Sequence, residues 1–202
     1  MTTVSRQPAA NTGAATDPLQ LIDVDHVRFF VGNAKQAAYF YANTFGFTLE
    51  EVSDLTTGSR DAAHYLLTQG NIRFLLTTAL SAEHPASRHV SLYGDGVKDV
   101  AFTVHDAIKT YEQTIKNGAT SAREPWEIKD ERGTVVQASI RTYGEVHHTF
   151  VSRAGQYALP SVKQGGLFMP GFKKVTGFGL NDFNKKNPVS YTHLTLPTNR
   201  EV

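Results

Sequence analysis

The feature that most constrains the fold of this chain is a strand–helix unit that occurs twice. The first copy reads DHVRFFVGNAK from Asp25 to Lys35, and the second reads KDVAFTVHDAIK from Lys98 to Lys109. The two copies are offset by 73 residues, so that His26 of the first corresponds to Asp99 of the second. An internal repeat of this kind predicts two copies of one supersecondary module.

Each copy begins as an alternating strand and continues into an amphipathic helix. Val27 and Phe29 share one face of the first strand, predicted over residues 25–31, whereas His26 lies on the other face. Asn33 and its counterpart Asp106 are typical N-cap residues. The apolar stripes of the two helices are predicted to be Ala34, Ala37, Ala38, Tyr41 and Phe45 in the first, and Ile108, Tyr111 and Ile115 in the second.

Three more strands are predicted after each helix. Their expected ranges are 47–53, 61–68 and 72–78 in the first module, and 122–128, 134–142 and 146–152 in the second. The fold class is therefore α+β, with paired βαβββ modules at about 24–80 and 97–153. One helix covers only one face of a four-stranded sheet, so the two sheets are expected to form a cup with the helices outside. By alternation, His26 and Asp99 point into this cup.

Length and composition fit one domain with tails. The chain has 202 residues, of which 40% are hydrophobic and 19% are charged, and its formal net charge of +1 gives no reason to expect nucleic acid or an anionic membrane as partner. The absence of cysteine excludes disulfides, thiolate metal sites and a cysteine nucleophile, and it fits a cytoplasmic location. The expected organisation is a disordered arm over 1–20, the paired-module domain over 21–155, an exit segment over 156–175, and a tail over 176–202 that is disordered or foreign to the protein.

Six short stretches, in order and at consistent spacing, resemble the N-terminal half of 4-hydroxyphenylpyruvate dioxygenase, a family of the vicinal-oxygen-chelate (glyoxalase-like) superfamily. No single stretch is diagnostic, and together they cover about residues 21–175. They are VGNAKQAA from Val31, GDGVKDVAF from Gly94, EPWEIKD from Glu124, GTVV from Gly133, IRTYG from Ile140 and FMPGF from Phe168.

The resemblance implies a non-haem Fe(II) enzyme of tyrosine catabolism that converts 4-hydroxyphenylpyruvate and O₂ to homogentisate and CO₂. It implies a homo-oligomer whose aromatic 2-oxo acid substrate chelates the iron. The iron is held by a 2-His-1-carboxylate triad that belongs to the C-terminal half. 4-Hydroxymandelate synthase, a sister family, shares the N-terminal pattern.

Residues 176–202 do not read as that C-terminal half. They contain no Asp-His strand start, and the stretch from Ser190 to Val202 has no likeness to the family. The chain is therefore interpreted as truncated, and alone it is expected to be inactive and to bind no iron. An exposed apolar patch is expected near residues 167–172, because those residues would lead into the absent half.

No catalytic, cofactor-binding or metal-binding residue is assigned. His26, Asp99 and Thr149 occupy the ligand positions of the superfamily, but a hydroxyl in place of a carboxylate is a poor Fe(II) ligand, so the site is interpreted as vestigial. His26 is expected to form a hydrogen bond within the decayed site, with Asp99 as one possible partner. Arg28 could hold a carboxylate in the cup, although a salt bridge to Asp99 is the simpler expectation.

The other histidines have weaker claims to a site. His147 and His148 are adjacent on a strand, so only one of them can face the cup. His84 and His89 flank Pro85 in a connector and are expected to be exposed, and His64 lies on a middle strand.

One functional alternative remains open. The chain could be a self-sufficient small vicinal-oxygen-chelate protein, either a metal-dependent lyase or dioxygenase or a metal-free protein that binds an aromatic compound. The metal-dependent version requires a third strong ligand, which the sequence does not supply.

Overall fold

The two modules form one continuous mixed sheet of nine strands. The computed structural model describes residues 19–158, 162 and 165–175. The strands follow the spatial order β6-β7-β8-β5-β1-β4-β3-β2-β9. Their bounds are β1 Leu21–Phe30, β2 Thr48–Ser53, β3 Ala62–Gln69, β4 Ile72–Ala79, β5 Gly96–Val104, β6 Ser121–Asp130, β7 Gly133–Arg141, β8 His147–Gly155 and β9 Lys173–Lys174.

The sequence repeat appears in the structure as a local twofold relation between β1 and β5. These strands pair antiparallel at the centre of the sheet, with Val27 opposite Val100. His26 lies opposite Ala101, and Arg28 lies opposite Asp99. Because the offset of 73 residues converts one of these two pairs into the other, exchanging the modules leaves the pairing unchanged. The predicted fold class is confirmed.

Three helices accompany the sheet: α1 Ala34–Phe45, α2 Pro85–Tyr93 and α3 Ala107–Lys116. The predicted caps are present. The Asn33 side chain accepts a hydrogen bond from the Gln36 backbone N–H, and Asp106 accepts from the backbone N–H groups of Ile108 and Lys109. Helix α1 packs on β3 and β4, and α3 packs on β7 and β8, so both helices lie on the convex face.

Parts of the helical predictions are wrong. Ala34 and Ala38 are buried as expected, but Phe45 is 54% exposed and Ile108 is 44% exposed. The buried face of α3 is instead Ala107, Thr110 and Thr114, because small residues allow the helix to approach the sheet closely. The predicted connector after β4 contains α2, which begins at a proline after the N-cap His84. His84 and His89 are consequently half-buried rather than exposed.

Residues 168–172 of the exit segment fill the concave face of the sheet. Phe168, Met169 and Phe172 are 0%, 5% and 6% exposed. They belong to one buried cluster with residues of both modules, namely Leu66, Leu75, Ala101, Val135 and Val151, and with Tyr157 of the exit segment itself. The chain then continues as β9 along the outer edge of β2. The predicted exposed patch at residues 167–172 is therefore wrong, because this segment packs into the cup of its own domain.

Candidate functional site

The three residues that the sequence resemblance puts at the superfamily's ligand positions all lie on the concave face. His26 is on β1, Asp99 on β5 and Thr149 on β8, and their exposed fractions are 1%, 5% and 4%. His26 and Thr149 both pair with Ala101, which lies between them. The structure thus places these positions on one face of three adjacent strands, and for His26 and Asp99 this is the face that alternation predicts.

A β-bulge places Asp25 on the same side as His26. The β1–β5 pairing shifts register between Val24 and His26, so that two successive side chains are both buried on the concave side. The Asp25 carboxylate accepts two hydrogen bonds from Arg153, with Nη2 2.7 Å from Oδ1 and Nε 3.1 Å from Oδ2. Thr103 donates a third at 3.0 Å. Sequence reasoning missed this pair because simple alternation puts Asp25 on the opposite face.

Asp25 also fixes the proton on His26. His26 Nδ1 lies 2.7 Å from Asp25 Oδ1. Burial opposes ionisation of Asp25, but the Arg153 charge and the His26 hydrogen bond hold the pKa of this carboxyl well below its usual range. Burial lowers the pKa of His26 despite the neighbouring carboxylate. The imidazole is therefore neutral, Nδ1 carries the proton that it donates to Asp25, and Nε2 is an acceptor. Asp25, and not Asp99, is the hydrogen-bond partner of His26.

The position of the first module that corresponds to Thr149 is apolar. Thr149 pairs with Ala101 on β5, and Leu75 pairs in the same way with Arg28 on β1. Because Ala101 and Arg28 correspond through the repeat, Leu75 is the counterpart of Thr149. Leu75 is fully buried in the core cluster, and the Thr149 hydroxyl is engaged with Ser139 Oγ at 2.7 Å.

This donor set does not fit Fe(II). It offers one imidazole, one carboxylate, one hydroxyl and one aliphatic side chain, whereas iron of this class needs two imidazoles and a carboxylate. Within the described part of the chain, no group of three or more His, Cys, Asp or Glu side chains is arranged to hold a metal ion.

Other histidines line the cup without converging on a site. His64 Nδ1 lies 3.0 Å from Thr77 Oγ1, and burial together with the nearby Arg28 charge lowers the pKa of His64 to about 3. His147 pairs with Asp99 on the concave face, whereas His148 stacks edge-on against Phe102 on the convex face. Only one of these two adjacent histidines faces the cup, as predicted.

Arg28 does not form the expected salt bridge. Among the described residues, no carboxylate lies within 4.0 Å of its guanidinium, although Asp99 is directly opposite on β5. Three buried atoms around this pair lack a hydrogen-bond partner in the described structure: His26 Nε2, Arg28 Nε and Asp99 Oδ1.

A clamp on the backbone of Phe168 holds the exit segment in the cup. The Phe168 N–H donates to both carboxylate oxygens of Glu51, each at 3.1 Å, and Arg153 Nη1 donates to the Phe168 carbonyl. The Phe168 ring meets the His26 ring edge-on with centroids 5.2 Å apart, and the Arg153 guanidinium lies 4.8 Å from its centre. This arrangement packs the Phe168 ring against His26 in the concave face of the sheet.

Comparison with known proteins places the chain in a family. The model of the Glyoxalase/Bleomycin resistance protein/Dioxygenase superfamily matches residues 23–146. A 4-hydroxyphenylpyruvate dioxygenase from Dictyostelium discoideum is 45% identical over 150 residues, which are 73% of this chain and 39% of that protein. The Tetrahymena thermophila protein of the same name is 42% identical over 158 residues, or 76% of this chain and 37% of that protein. The chain thus spans about two fifths of the length of these relatives.

Solved structures share the fold. A variant of 4-hydroxymandelate synthase from Streptomyces coelicolor matches with a TM-score of 0.60 and 24% identity, over 65% of this chain and 38% of that one. Methylmalonyl-CoA epimerase from Mycobacterium tuberculosis matches with a TM-score of 0.52 and 19% identity, over 65% of this chain and 88% of that one. No helix within the described residues is long and apolar enough to cross a membrane. The paired modules, their local twofold relation and the family match together establish that this chain belongs to the Glyoxalase/Bleomycin resistance protein/Dioxygenase superfamily.

Proposed function

We propose that this chain is the N-terminal half of a 4-hydroxyphenylpyruvate dioxygenase, the Fe(II) enzyme that forms homogentisate and CO₂ from 4-hydroxyphenylpyruvate and O₂. The observation that carries the proposal is 45% identity over 150 residues to a protein of that name. On this proposal the substrate is an aromatic 2-oxo acid, the whole enzyme is a cytoplasmic homo-oligomer, and Fe(II) is bound by residues outside the present sequence.

The role of this half is structural rather than catalytic. Its ligand positions carry Leu75 and Thr149 where iron needs strong donors, and its cup is occupied by Phe168. His26, Asp99 and Thr149 are then vestigial, with no metal to hold and no catalytic step to perform. The chain alone is expected to bind no iron and to have no activity.

The test compares this chain with a chimaera. The chain up to Val175 is fused to the part of the Dictyostelium relative that lies beyond the matched stretch. Both proteins, and the Dictyostelium part alone, are assayed for oxygen uptake with 4-hydroxyphenylpyruvate and Fe(II), after circular dichroism has established that each is folded. Oxygen uptake by the chimaera, and none by either part alone, is the expected result.

Two results would overturn the proposal. One is turnover of the keto acid by this chain alone. The other is a folded chimaera that consumes no oxygen under conditions in which the intact Dictyostelium protein does.

A second candidate is a small protein that acts by itself, either as a metal-dependent lyase or dioxygenase or as a metal-free binder of an aromatic ligand. The observation in its favour is that one pair of modules covers 88% of the mycobacterial epimerase chain. The donor set argues against the metal-dependent version, and the ring of Phe168, packed against His26 in the concave face, leaves less room there for an aromatic ligand. Metal analysis of the purified chain separates the metal-dependent version from the metal-free version. Stoichiometric Fe, Mn or Zn would favour a metalloenzyme.

A further inference from the structure

A polar cavity lies between the exit segment and the edge of the sheet, away from the seam at His26. Its volume is about 200 Å³. Among the described residues, four charged side chains line it: Glu50, Glu51, Arg73 and Lys174. Leu66 and Phe168 supply an apolar wall. The cup's vestigial ligand positions do not contribute to this cavity, so it is a separate feature.

A bulge in β2 brings both carboxylates to the cavity. The β2–β3 pairing shifts register between Leu49 and Glu51, so that successive side chains both line the same space. Glu50 Oε1 accepts a hydrogen bond from Thr68 Oγ1 at 3.2 Å. Glu51 is 2% exposed, and burial raises its pKa, although its carboxylate accepts from the Phe168 N–H. Both carboxylates are therefore held in place.

Of the two cations, Arg73 is buried and held by a hydrogen bond, whereas Lys174 is exposed. Arg73 is 9% exposed, and its Nη1 donates to the Asp25 carbonyl at 2.8 Å. Lys174 lies opposite Glu51 in the β2–β9 pairing. The Lys174 amine lies close to Gly165: a Cβ atom added to that glycine would be 3.8 Å from Lys174 Nζ.

These charges of opposite sign do not neutralise one another by contact. Among the described residues, neither carboxylate forms an ion pair of 4.0 Å or less with Arg73 or Lys174. Among the described residues, two anionic and two cationic side chains therefore surround one small space, which favours a guest that carries both signs.

We propose that this cavity binds a small zwitterion, an α-amino acid with an apolar side chain. Its ammonium group donates to Glu50 and Glu51, its carboxylate accepts from Arg73 and Lys174, and its side chain packs on Leu66 and Phe168. The volume suits a guest of this size, since a cavity of about 150 Å³ accommodates benzene. A bound amino acid would tie the exit segment to the sheet edge and so stabilise the closed domain.

The requirement for both charges is tested with three probes of similar shape. L-Leucine carries both charges, 4-methylpentanoate carries only the carboxylate, and 3-methylbutylamine carries only the ammonium. Isothermal titration calorimetry and the thermal unfolding midpoint are measured on the full chain with each. L-Leucine is expected to bind and raise the midpoint, and each probe of single charge is expected to bind at least about tenfold more weakly.

Neighbouring lysines provide a matched pair of variants. Lys174→Gln removes a cation from the cavity wall, whereas Lys173→Gln removes the same charge from the adjacent residue of β9, which does not line the cavity. The first is expected to weaken L-leucine binding about tenfold, and the second to leave it unchanged. Glu50→Gln is expected to weaken L-leucine binding in the same way.

Several outcomes would overturn the proposal. They are no binding of L-leucine to the folded chain, equal binding of the three probes, or equal effects of the two lysine variants. None of them bears on the proposed dioxygenase function, because the oxygen-uptake assay of the chimaera does not involve this cavity.

Discussion

Asp25 sets the electrostatics of the cup at the scale of the residue. It is 1% exposed, it pairs with Arg153 through two hydrogen bonds, and it fixes the neutral tautomer of His26. Arg153 in turn holds the carbonyl of Phe168. One carboxylate thus connects β1, β8 and the exit segment.

Replacing Asp25 by Asn should destabilise the fold strongly. Asn keeps the shape but leaves the Arg153 guanidinium buried without a counter-charge, so we expect a loss of about 3 kcal/mol in the free energy of unfolding, measured with urea. The exposed Asp61→Asn is the matched control and should cost about 0.5 kcal/mol or less. A loss as small as that of the control would contradict the assigned role of the pair.

His64 should make stability depend on pH. Its folded pKa of about 3 lies below the unfolded value, so its contribution is fully present above about pH 6.5 and is lost as the pH falls toward 3. We expect the loss of unfolding free energy between about pH 7 and about pH 5 to be smaller in His64→Asn than in the parent. The exposed His105→Asn should retain the parent's full loss, and equal losses in all three proteins would refute the prediction.

Residue roles at the seam could be predicted only in part. The repeat identified His26 and Asp99 as corresponding positions, and alternation placed both on the concave face. The partner of His26 was not predictable, because the bulge that turns Asp25 inward arises from strand pairing. The absence of an Arg28–Asp99 salt bridge was not predictable either, because strand register brings the two residues opposite each other without fixing their side chains.

At the scale of the element, the exit segment behaves as part of the core. Phe168 is fully buried, its backbone is clamped from both sides, and β9 extends the sheet beyond β2. Sequence reasoning expected this stretch to be exposed because its apolar residues follow the last predicted strand. Burial in the cup explains the same apolar residues. A single sequence does not distinguish an apolar stretch that is exposed after the last strand from one that folds back into the cup.

Truncation of Phe168 to Ala should cost about 3 to 5 kcal/mol in the free energy of unfolding, because it leaves a cavity against residues of both modules. Phe40, which is 52% exposed on α1, provides the matched control. We expect Phe40→Ala to cost about 1 kcal/mol or less. If the two variants unfold at similar urea concentrations, the exit segment does not contribute to the core in solution.

For the whole molecule, the modules share one sheet and one buried cluster. The central β1–β5 pairing joins them, and Leu66 and Leu75 of the first module pack with Val135 and Val151 of the second. The repeat, the βαβββ order of elements along the chain and the two capped helices were predictable, because period and capping residues determine them locally, whereas α2 was not predicted. The filling of the cup was not, because it depends on where a later segment folds back.

We expect the two modules to unfold in a single transition, since separating them would expose this shared core. Trp126, the only tryptophan, reports on the second module by fluorescence, and amide exchange along β3 reports on the first. Urea midpoints from the two probes should coincide. Two separate midpoints would show that the modules are independent folding units.

The ring that fills the cup is carried on the same polypeptide, and this has a consequence for any competitor. Phe168 follows the end of β8 by only thirteen residues, so its local concentration at His26 is on the order of millimolar or higher even when the clamp opens. An aromatic molecule that diffuses in from solution must therefore compete with the Phe168 ring, which is covalently tethered to the domain. Its apparent affinity for the concave face will be weaker than its intrinsic affinity by the fraction of time that the resident ring is absent.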